Sequence, residues 1–314
     1  MVDKPTLQHT RLNIMKKIIL LLLIISQIPL AVFGQEEAIK EPEFFQLRDN
    51  LYMMTYSFPN VAILLGDKEI FLVDANLKEN IEVVVNAINE RFVDHSIKYL
   101  VNTHSHRDHA GGNAFLIKNG TIGIVHENTR STFDEVYYVD ENGKQVKDSA
   151  KGKATGDYKK DELPIMTYSQ RMNLYFADEN IELIHVPDAH TKGDTIVYFK
   201  KNNAIALGDN YFGNAYTFGG NIDGMIKVYE KVLSIIDDKT IIIPGHGVHS
   251  NKKELSAYLA MIKDVKAVIE KKKKNGKTLE EVKADKSITA KYDEKYGQLY
   301  FDGERFRDLI YKQL

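Results

Sequence analysis

The stretch His104-Ser105-His106-Arg107-Asp108-His109 brings three histidines and one aspartate into six consecutive residues. It follows Tyr99-Leu100-Val101, which predicts a strand, and it precedes Gly111-Gly112, where the backbone is free to turn into a helix. Side chains two residues apart on an extended chain point the same way. The stretch therefore predicts a loop at a strand end that directs four metal ligands into one cleft.

Imidazole and carboxylate are the ligand types expected at this site, because the chain contains no cysteine. They suit Zn²⁺, with Fe and Mn as alternatives. The absence of cysteine also excludes disulfides and a cysteine nucleophile. Four ligands from one loop are too many for one open catalytic zinc and too few for two ions. A two-metal site would need further ligands from elsewhere in the chain.

Three later positions offer these ligands, each on a turn beside a predicted strand. His190 precedes Thr195 to Phe199, Asp209 follows Ala204 to Leu207, and His246 follows Ile241 to Ile243. Turns of this kind can gather at one edge of the sheets. The sequence therefore predicts that distant strand ends complete the site.

The order of strands and helices predicts an α/β fold. Short β-rich runs from Leu47 to Asp74 predict a meander, and three stretches have the apolar spacing of amphipathic helices. These are Asn80 to Phe92 with Asn80 as the N-cap, Gly224 to Ile236, and Lys252 to Lys273. Such alternation favours helices packed over sheets.

Residues 1–34 have the features of a secretory signal with an N-terminal extension. Lys16-Lys17 precede the apolar run Ile18 to Ile25, and the small residue Gly34 follows. The run is shorter than the roughly 20 residues of a membrane span. We expect a periplasmic or secreted protein, cleaved near Gly34 and without a stable membrane anchor; a retained N-terminal anchor is the alternative.

The charge of the chain argues against a nucleic-acid partner. Cleavage after Gly34 would remove four cationic residues and one acidic residue, which takes the formal charge from −2 to −5. An acidic protein lacks the excess of basic residues that binds the phosphate backbone of nucleic acid. A small-molecule substrate is expected instead.

The order of the ligands resembles that of the metallo-β-lactamase-fold hydrolase superfamily. Its hallmark, H-x-H-x-D-H followed by a histidine, an aspartate and a histidine, is matched over roughly Asn60 to Gly247. The resemblance implies a four-layer αββα sandwich and a hydrolase domain at residues 35–250. We expect residues 251–314 to form a C-terminal helical extension packed on that domain.

The resemblance also implies a role for each ligand. His104, His106 and His190 would hold a first metal, Asp108, His109 and His246 a second, and Asp209 would bridge the two. Asp74, in Phe71-Leu72-Val73-Asp74, resembles a structural acid behind the ligands. Two Zn²⁺ ions would share a hydroxide that attacks the substrate, while Asp108 orients it and accepts its proton.

Two features of this chain differ from the true β-lactamases and bear on which substrate it cleaves: the absence of cysteine and the presence of Asp209. Their commonest class places a cysteine on the second metal, and this chain has none. Asp209 makes the metal set resemble those of glyoxalase II, lactonases and other general hydrolases of the superfamily. The chain as a whole resembles the exported branch of these hydrolases. The predicted activity is hydrolysis of an ester, lactone, amide or lactam. A β-lactamase proper, a di-iron redox member and a non-catalytic metal-binding module are the alternatives.

Several residues near the motifs have two interpretations. Asn210, Tyr211, Phe212 and Lys192 are candidate substrate contacts, with core packing as the alternative for the two aromatic residues. Asp140 to Glu162 is polar and lysine-rich, which predicts either a lid or a surface insertion. We expect His126 and His185 to be structural. His249 would either support a ligand or lie on a surface turn.

Overall fold

The structure is a computed structural model that describes residues 41–57, 59–134, 137–139, 145–146, 153–155, 160–217, 219–299 and 301–314. The predicted signal segment lies outside these residues. The strands are β1 (Glu43–Gln46), β2 (Leu51–Thr55), β3 (Asn60–Leu65), β4 (Glu69–Val73), β5 (Ser96–Val101), β6 (Ile122–His126), β7 (Tyr137–Val139), β8 (Gln145–Val146), β9 (Lys153–Thr155), β10 (Met166–Tyr168), β11 (Arg171–Phe176), β12 (Glu179–His185), β13 (Thr195–Phe199), β14 (Ala204–Gly208), β15 (Ile241–Pro244) and β16 (Ser250–Asn251).

These strands form two large sheets and one small one. The first has the order β1-β2-β3-β4-β5-β6-β10, with antiparallel pairing from β1 to β4 and parallel pairing beyond. The predicted meander is therefore confirmed. The second sheet has the order β11-β12-β13-β14-β15-β16, in which only β14 and β15 pair in parallel. The third joins β8, β7 and β9.

The helices lie on the outer faces of the two large sheets. They are α1 (Ile81–Arg91), α2 (Arg107–Ala110), α3 (Asn113–Lys118), α4 (Glu127–Asp134), α5 (Ile222–Ile235), α6 (Lys252–Lys274), α7 (Leu279–Ala284), α8 (Ala290–Tyr296) and α9 (Gly303–Gln313). Ile81, Val84 and Ile88 of α1 pack on the first sheet. Helices α5 and α6 pack on the second sheet in another cluster.

Alternation along the strands explains the layering. On β2, Met53 faces the core between the sheets, whereas its neighbour Met54 faces α1. On β14, Ala206 faces that central core, whereas Ile205 packs with the helices on the other side. Period-two alternation with both faces apolar is what a sheet buried on both sides requires. The predicted αββα sandwich is confirmed.

Local details differ from the sequence predictions at two helix starts. Asn80 occupies the N-cap position of α1, but its side chain donates a hydrogen bond to Oδ1 of Asn76 at 3.1 Å rather than capping the helix. Helix α5 begins at Ile222, two residues before the predicted start, because the Asn221 side chain accepts hydrogen bonds from the amides of Asp223 and Gly224.

The C-terminal residues form helices α6 to α9, whose buried side chains join the cluster over the second sheet. Pro42–Leu314 make up one compact unit. The stretch Asp140 to Glu162 contributes strands β8 and β9, and most of its other residues lie outside those described, so the lid stays a prediction. Within the described ranges, no helix is long and apolar enough to cross a membrane.

Candidate metal centre

The predicted ligands lie on turns at the ends of strands. His104 and His106 follow β5, and the single-turn helix α2 carries Asp108 and His109. His190 lies between β12 and β13, Asp209 follows β14, and His246 follows β15. Because β14 and β15 are parallel, their carboxyl ends meet at the same edge of the sheet.

The first ligand group consists of His104, His106, His190 and Asp209. Nε2 of His190 lies 3.0 Å from Nδ1 of His106 and 3.4 Å from Oδ2 of Asp209. Nε2 of His104 lies 3.7 Å from the same carboxylate oxygen. The ligand atoms of the group all lie within 4.8 Å of one another.

The second group consists of Asp108, His109, His246 and the same Asp209. Oδ1 of Asp209 lies 3.0 Å from Nε2 of His109 and 3.1 Å from Nε2 of His246. Oδ2 of Asp108 lies 3.3 Å from Nε2 of His246. One Asp209 carboxylate therefore directs one oxygen towards each group.

The geometry and chemistry of both groups fit divalent cations. Ligand atoms around a tetrahedral zinc, with bonds of about 2.0–2.1 Å, lie about 3.3 Å apart. The separations of 3.0 to 3.7 Å within the groups bracket that value. Nε2 of His104 is buried and has no hydrogen-bond partner among the described residues. A buried nitrogen lone pair of this kind is satisfied by a cation.

Asp74 fixes the orientation of His109. Its Oδ2 lies 2.8 Å from Nδ1 of His109 and accepts a hydrogen bond from Oγ1 of Thr103 at 2.8 Å, while Oδ1 accepts one from the Thr103 amide. In the neutral imidazole this contact places the proton of His109 on Nδ1 and leaves Nε2 as the ligand atom. Asp74 also has a left-handed backbone, with φ of 66°.

Two residues that the sequence analysis missed hold the turns carrying His190 and His246. Oδ2 of the buried Asp194 accepts the His190 amide at 2.7 Å. Nδ2 of Asn60 donates to the carbonyls of Pro244 and Gly247, both at 2.9 Å. An acid four residues after His190 is a signal that could have been found. Asn60 offered none, since its partners lie far along the chain.

Contacts with carboxylates separate the second group from the first in protonation. Burial lowers the pKa of His190 to about 4, and burial together with His109 lowers the pKa of His104 well below its ordinary value. Burial alone would also lower the pKa of His246, but hydrogen bonds to Asp108 and Asp209 raise it to about 9.

His109 and Asp209 shift in opposite directions. Burial would lower the pKa of His109, yet the carboxylates of Asp209 and Asp74 raise it well above its ordinary value. Burial would raise the pKa of Asp209, but His109 and His104 hold it well below its usual range. In the metal-free site the second group therefore carries protons that a cation would displace.

The candidate substrate contacts have different surroundings. Phe212 is buried, with its ring parallel to the imidazole of His246 at a centroid distance of 5.5 Å. Tyr211 packs in the core against Tyr258, and its hydroxyl lies 3.0 Å from Oγ of Ser250. These surroundings favour core packing, the alternative interpretation of this residue.

The two polar candidates also differ from each other. Asn210 is buried, and its Nδ2 donates to the carbonyl of Leu207 at 3.1 Å. Lys192 is exposed, and its carbonyl accepts a hydrogen bond from Asn128. Among the described residues, neither side chain has a hydrogen bond or ion pair with a ligand side chain, so both roles stay predictions.

His126, His185 and His249 belong to neither ligand group. His126 stacks on His185 at 3.6 Å, and its two ring nitrogens contact the carbonyl of Ser169 and the amide of Asn128. These contacts give the pair the structural role that was predicted. His249 is exposed, with its ring 6.2 Å from that of Phe45.

Comparison with known proteins agrees with this geometry. The sequence model of the metallo-beta-lactamase superfamily matches residues 55–250, a span that contains both ligand groups and Asp74. The chain belongs to the metallo-β-lactamase superfamily. It is a metallo-hydrolase, and the enzyme fold implies a small-molecule substrate.

Solved structures share the fold of this superfamily member at low sequence identity. A metallo-beta-lactamase from Pontibacter korlensis is 17% identical with a TM-score of 0.58, covering 71% of this chain and 99% of its own. The DIM-1 metallo-beta-lactamase is 19% identical with a TM-score of 0.55, covering 71% and 98%. TMB-1 is 15% identical with a TM-score of 0.55, covering 72% and 98%. These likenesses show the fold alone.

Proposed function

We propose that the protein is an exported, dinuclear zinc hydrolase that cleaves an ester, lactone, amide or lactam of a small molecule. The observation that carries the proposal is the shared carboxylate of Asp209. Its two oxygens face His190 at 3.4 Å and His109 at 3.0 Å, so two ions would be held side by side. Two divalent cations supply a water of lowered pKa and polarise the bond to be cleaved.

The exposed edge of the site gives the direction of substrate approach. His104, His109 and Asp209 are buried, whereas His106 is exposed and Asp108 is partly exposed. A substrate would therefore reach the site on the side of His106 and Asp108.

Asp108 is the residue that we assign to proton transfer. Its Oδ2 contacts His246 at 3.3 Å, and hydrogen bonding to His246 and the charge of His109 outweigh burial and keep its pKa below the ordinary value. It is therefore ionised at neutral pH. The carboxylate can accept a proton from an attacking water and return it to the leaving group.

Metal analysis combined with a substrate panel tests the proposal. We expect two zinc ions per chain and chelator-sensitive cleavage of at least one of p-nitrophenyl acetate, a γ-lactone and nitrocefin. Asp108→Ala should lower kcat at least about 100-fold. Two irons without chelator-sensitive cleavage would refute the hydrolase and favour a redox member.

Nitrocefin belongs in the panel because the similar structures are named metallo-beta-lactamases. Export rests on the signal-like residues before Gly34 and has its own test. Fractionation and N-terminal sequencing should find the mature chain outside the cytoplasm, beginning near Gln35. An uncleaved cytoplasmic chain would contradict export without affecting the metal site.

A further inference from the structure

The loop after Asp209, residues 210–217 and 219–221, contacts ligands of both metal groups. Phe212 stacks against His246, and its ring centroid lies 6.2 Å from that of His190. A Cβ added at Gly219 would make ordinary van der Waals contact with His190, 3.5 Å from Cε1 of the imidazole. The position of this loop therefore affects one ligand of each group, His190 in the first and His246 in the second.

The C-terminal helices hold the middle of the loop by polar contacts. The Tyr258 hydroxyl of α6 donates to the carbonyl of Ala215 at 2.9 Å. The Tyr216 amide donates to the carbonyl of Tyr296 at 2.8 Å, and its hydroxyl donates to Oδ1 of Asp293 at 2.9 Å. Three bonds from helices α6 and α8 thus fix two consecutive loop residues.

Gln313 of α9 holds the far end of the loop. Its Nε2 donates to the carbonyl of Gly220 at 2.7 Å, and its Oε1 accepts the amide of Ile222 at 2.8 Å. The intervening Asn221 donates its own amide to the carbonyl of Ala189, next to His190, at 2.6 Å. The Gln313 side chain therefore acts on the segment that borders a metal ligand.

These contacts are not accounted for by core packing alone. Gln313 is exposed, yet both ends of its amide bond the loop. Helices α6 to α9 also lie beyond residue 250, where the superfamily match ends. An exposed side chain that bonds a loop at two points restricts the movement of that loop.

We propose that helices α6 to α9 position the loop that shapes the active site. Asp293 and Gln313 of these helices and Tyr216 of the loop are positioning residues that set the substrate pocket. This role rests on the proposed hydrolytic function. It assigns a role in the active site to residues 252–313, which lie beyond the end of the superfamily match. The residues act through the loop and do not touch the reacting atoms.

The first test measures the loop without relying on activity. Gln313→Ala and Tyr216→Phe each remove side-chain bonds and leave the helices intact. We expect hydrogen–deuterium exchange of the amides in residues 213–222 to accelerate about fivefold to tenfold in either variant, with and without zinc. Lys312→Ala and Tyr292→Phe are matched controls, because Lys312 pairs with Asp308 and Tyr292 bonds Asp264, both away from the loop. Unchanged exchange in the loop would overturn the proposal.

The second test uses kinetics on the zinc-loaded protein. For whichever of p-nitrophenyl acetate, the γ-lactone and nitrocefin the parent cleaves, both variants should raise KM about fivefold, with kcat within about twofold of the parent and zinc content retained. Activity that falls in proportion to lost zinc or folded protein would overturn the positioning role in favour of a structural one. If the parent cleaves no substrate, the proposed function fails, and the exchange experiment still decides whether the helices hold the loop.

Discussion

Oδ2 of Asp74 lies 2.8 Å from Nδ1 of His109, and both side chains are buried. The contact joins the end of β4 to the helix α2 that carries two ligands. It restricts the imidazole to one tautomer and one orientation, because the same carboxylate is held by the amide and hydroxyl of Thr103. Asp74 therefore supports the second ligand group without belonging to it.

Asp74→Asn should weaken binding of the second metal. Asparagine has one acceptor oxygen where aspartate has two, so it cannot accept hydrogen bonds from both His109 and the Thr103 amide. Loss of such a supporting partner lowers metal affinity about 10-fold to 100-fold. Zinc titration of the metal-free protein measures the effect. Glu79→Gln, which alters an exposed pair with Arg107, should leave both affinities unchanged. Equal zinc affinity in Asp74→Asn and the parent would contradict the tautomer argument.

Gly245→Ala should displace the Asp209 carboxylate by steric overlap and thereby weaken metal binding. A Cβ at residue 245 would lie 2.1 Å from Oδ1 of Asp209, closer than any side chain tolerates. We expect loss of bound zinc and a destabilisation of about 1–3 kcal/mol, typical of overpacking, measured by metal content and denaturant unfolding. Gly219→Ala is the matched control, since its Cβ would make ordinary contact with His190 at 3.5 Å. Retention of both zincs in Gly245→Ala would contradict the overlap.

The sequence was sufficient to predict the parts of the site that depend on local spacing. His104 to His109 lie in six consecutive residues, and the turns bearing His190, Asp209 and His246 each adjoin an apolar strand. The fold class followed from alternation and from the family resemblance.

The parts that could not be predicted depend on tertiary contacts. Tyr211 and Phe212 are adjacent aromatics, yet one packs under α6 and the other stacks on His246, and only the packing distinguishes them. Asn60 bonds carbonyls more than 180 residues away, at Pro244 and Gly247. No local pattern carries that information.

Asp209→Ala should reduce the number of bound metals. Its carboxylate contributes to both ligand groups and is the negative charge shared by the buried histidines. Removing it leaves each group with three ligands, so we expect at most one tightly bound zinc per chain and a fall in kcat of at least about 100-fold. Zinc content after gel filtration measures the first effect.

Asp188→Asn is the control for Asp209→Ala and lies on the turn that carries His190. Asp188 is exposed, and its φ of 53° is one that asparagine also adopts readily. It should keep the metal content of the parent. Two tightly bound zincs in Asp209→Ala would show that the carboxylate does not bridge.

Zinc binding to the second group should depend more steeply on pH than binding to the first. The pKa of His246 is raised to about 9 and that of His109 lies well above its ordinary value, so both rings hold protons at pH 7 in the metal-free protein. Protons compete with the metal, and affinity therefore rises as pH rises towards about 9. The lowered pKa values of His104 and His190 leave the first group free of protons at neutral pH.

Calorimetric zinc titrations at pH 6, 7 and 8 in buffers of different ionisation enthalpy count the protons released. We expect a first ion that binds with little pH dependence and a second whose affinity rises at least about tenfold per pH unit. His246→Ala should abolish the pH-dependent binding of the second ion and keep the binding of the first. If the affinities of the two ions changed equally with pH, the carboxylates of Asp74, Asp108 and Asp209 would not hold protons on the histidines of the second group.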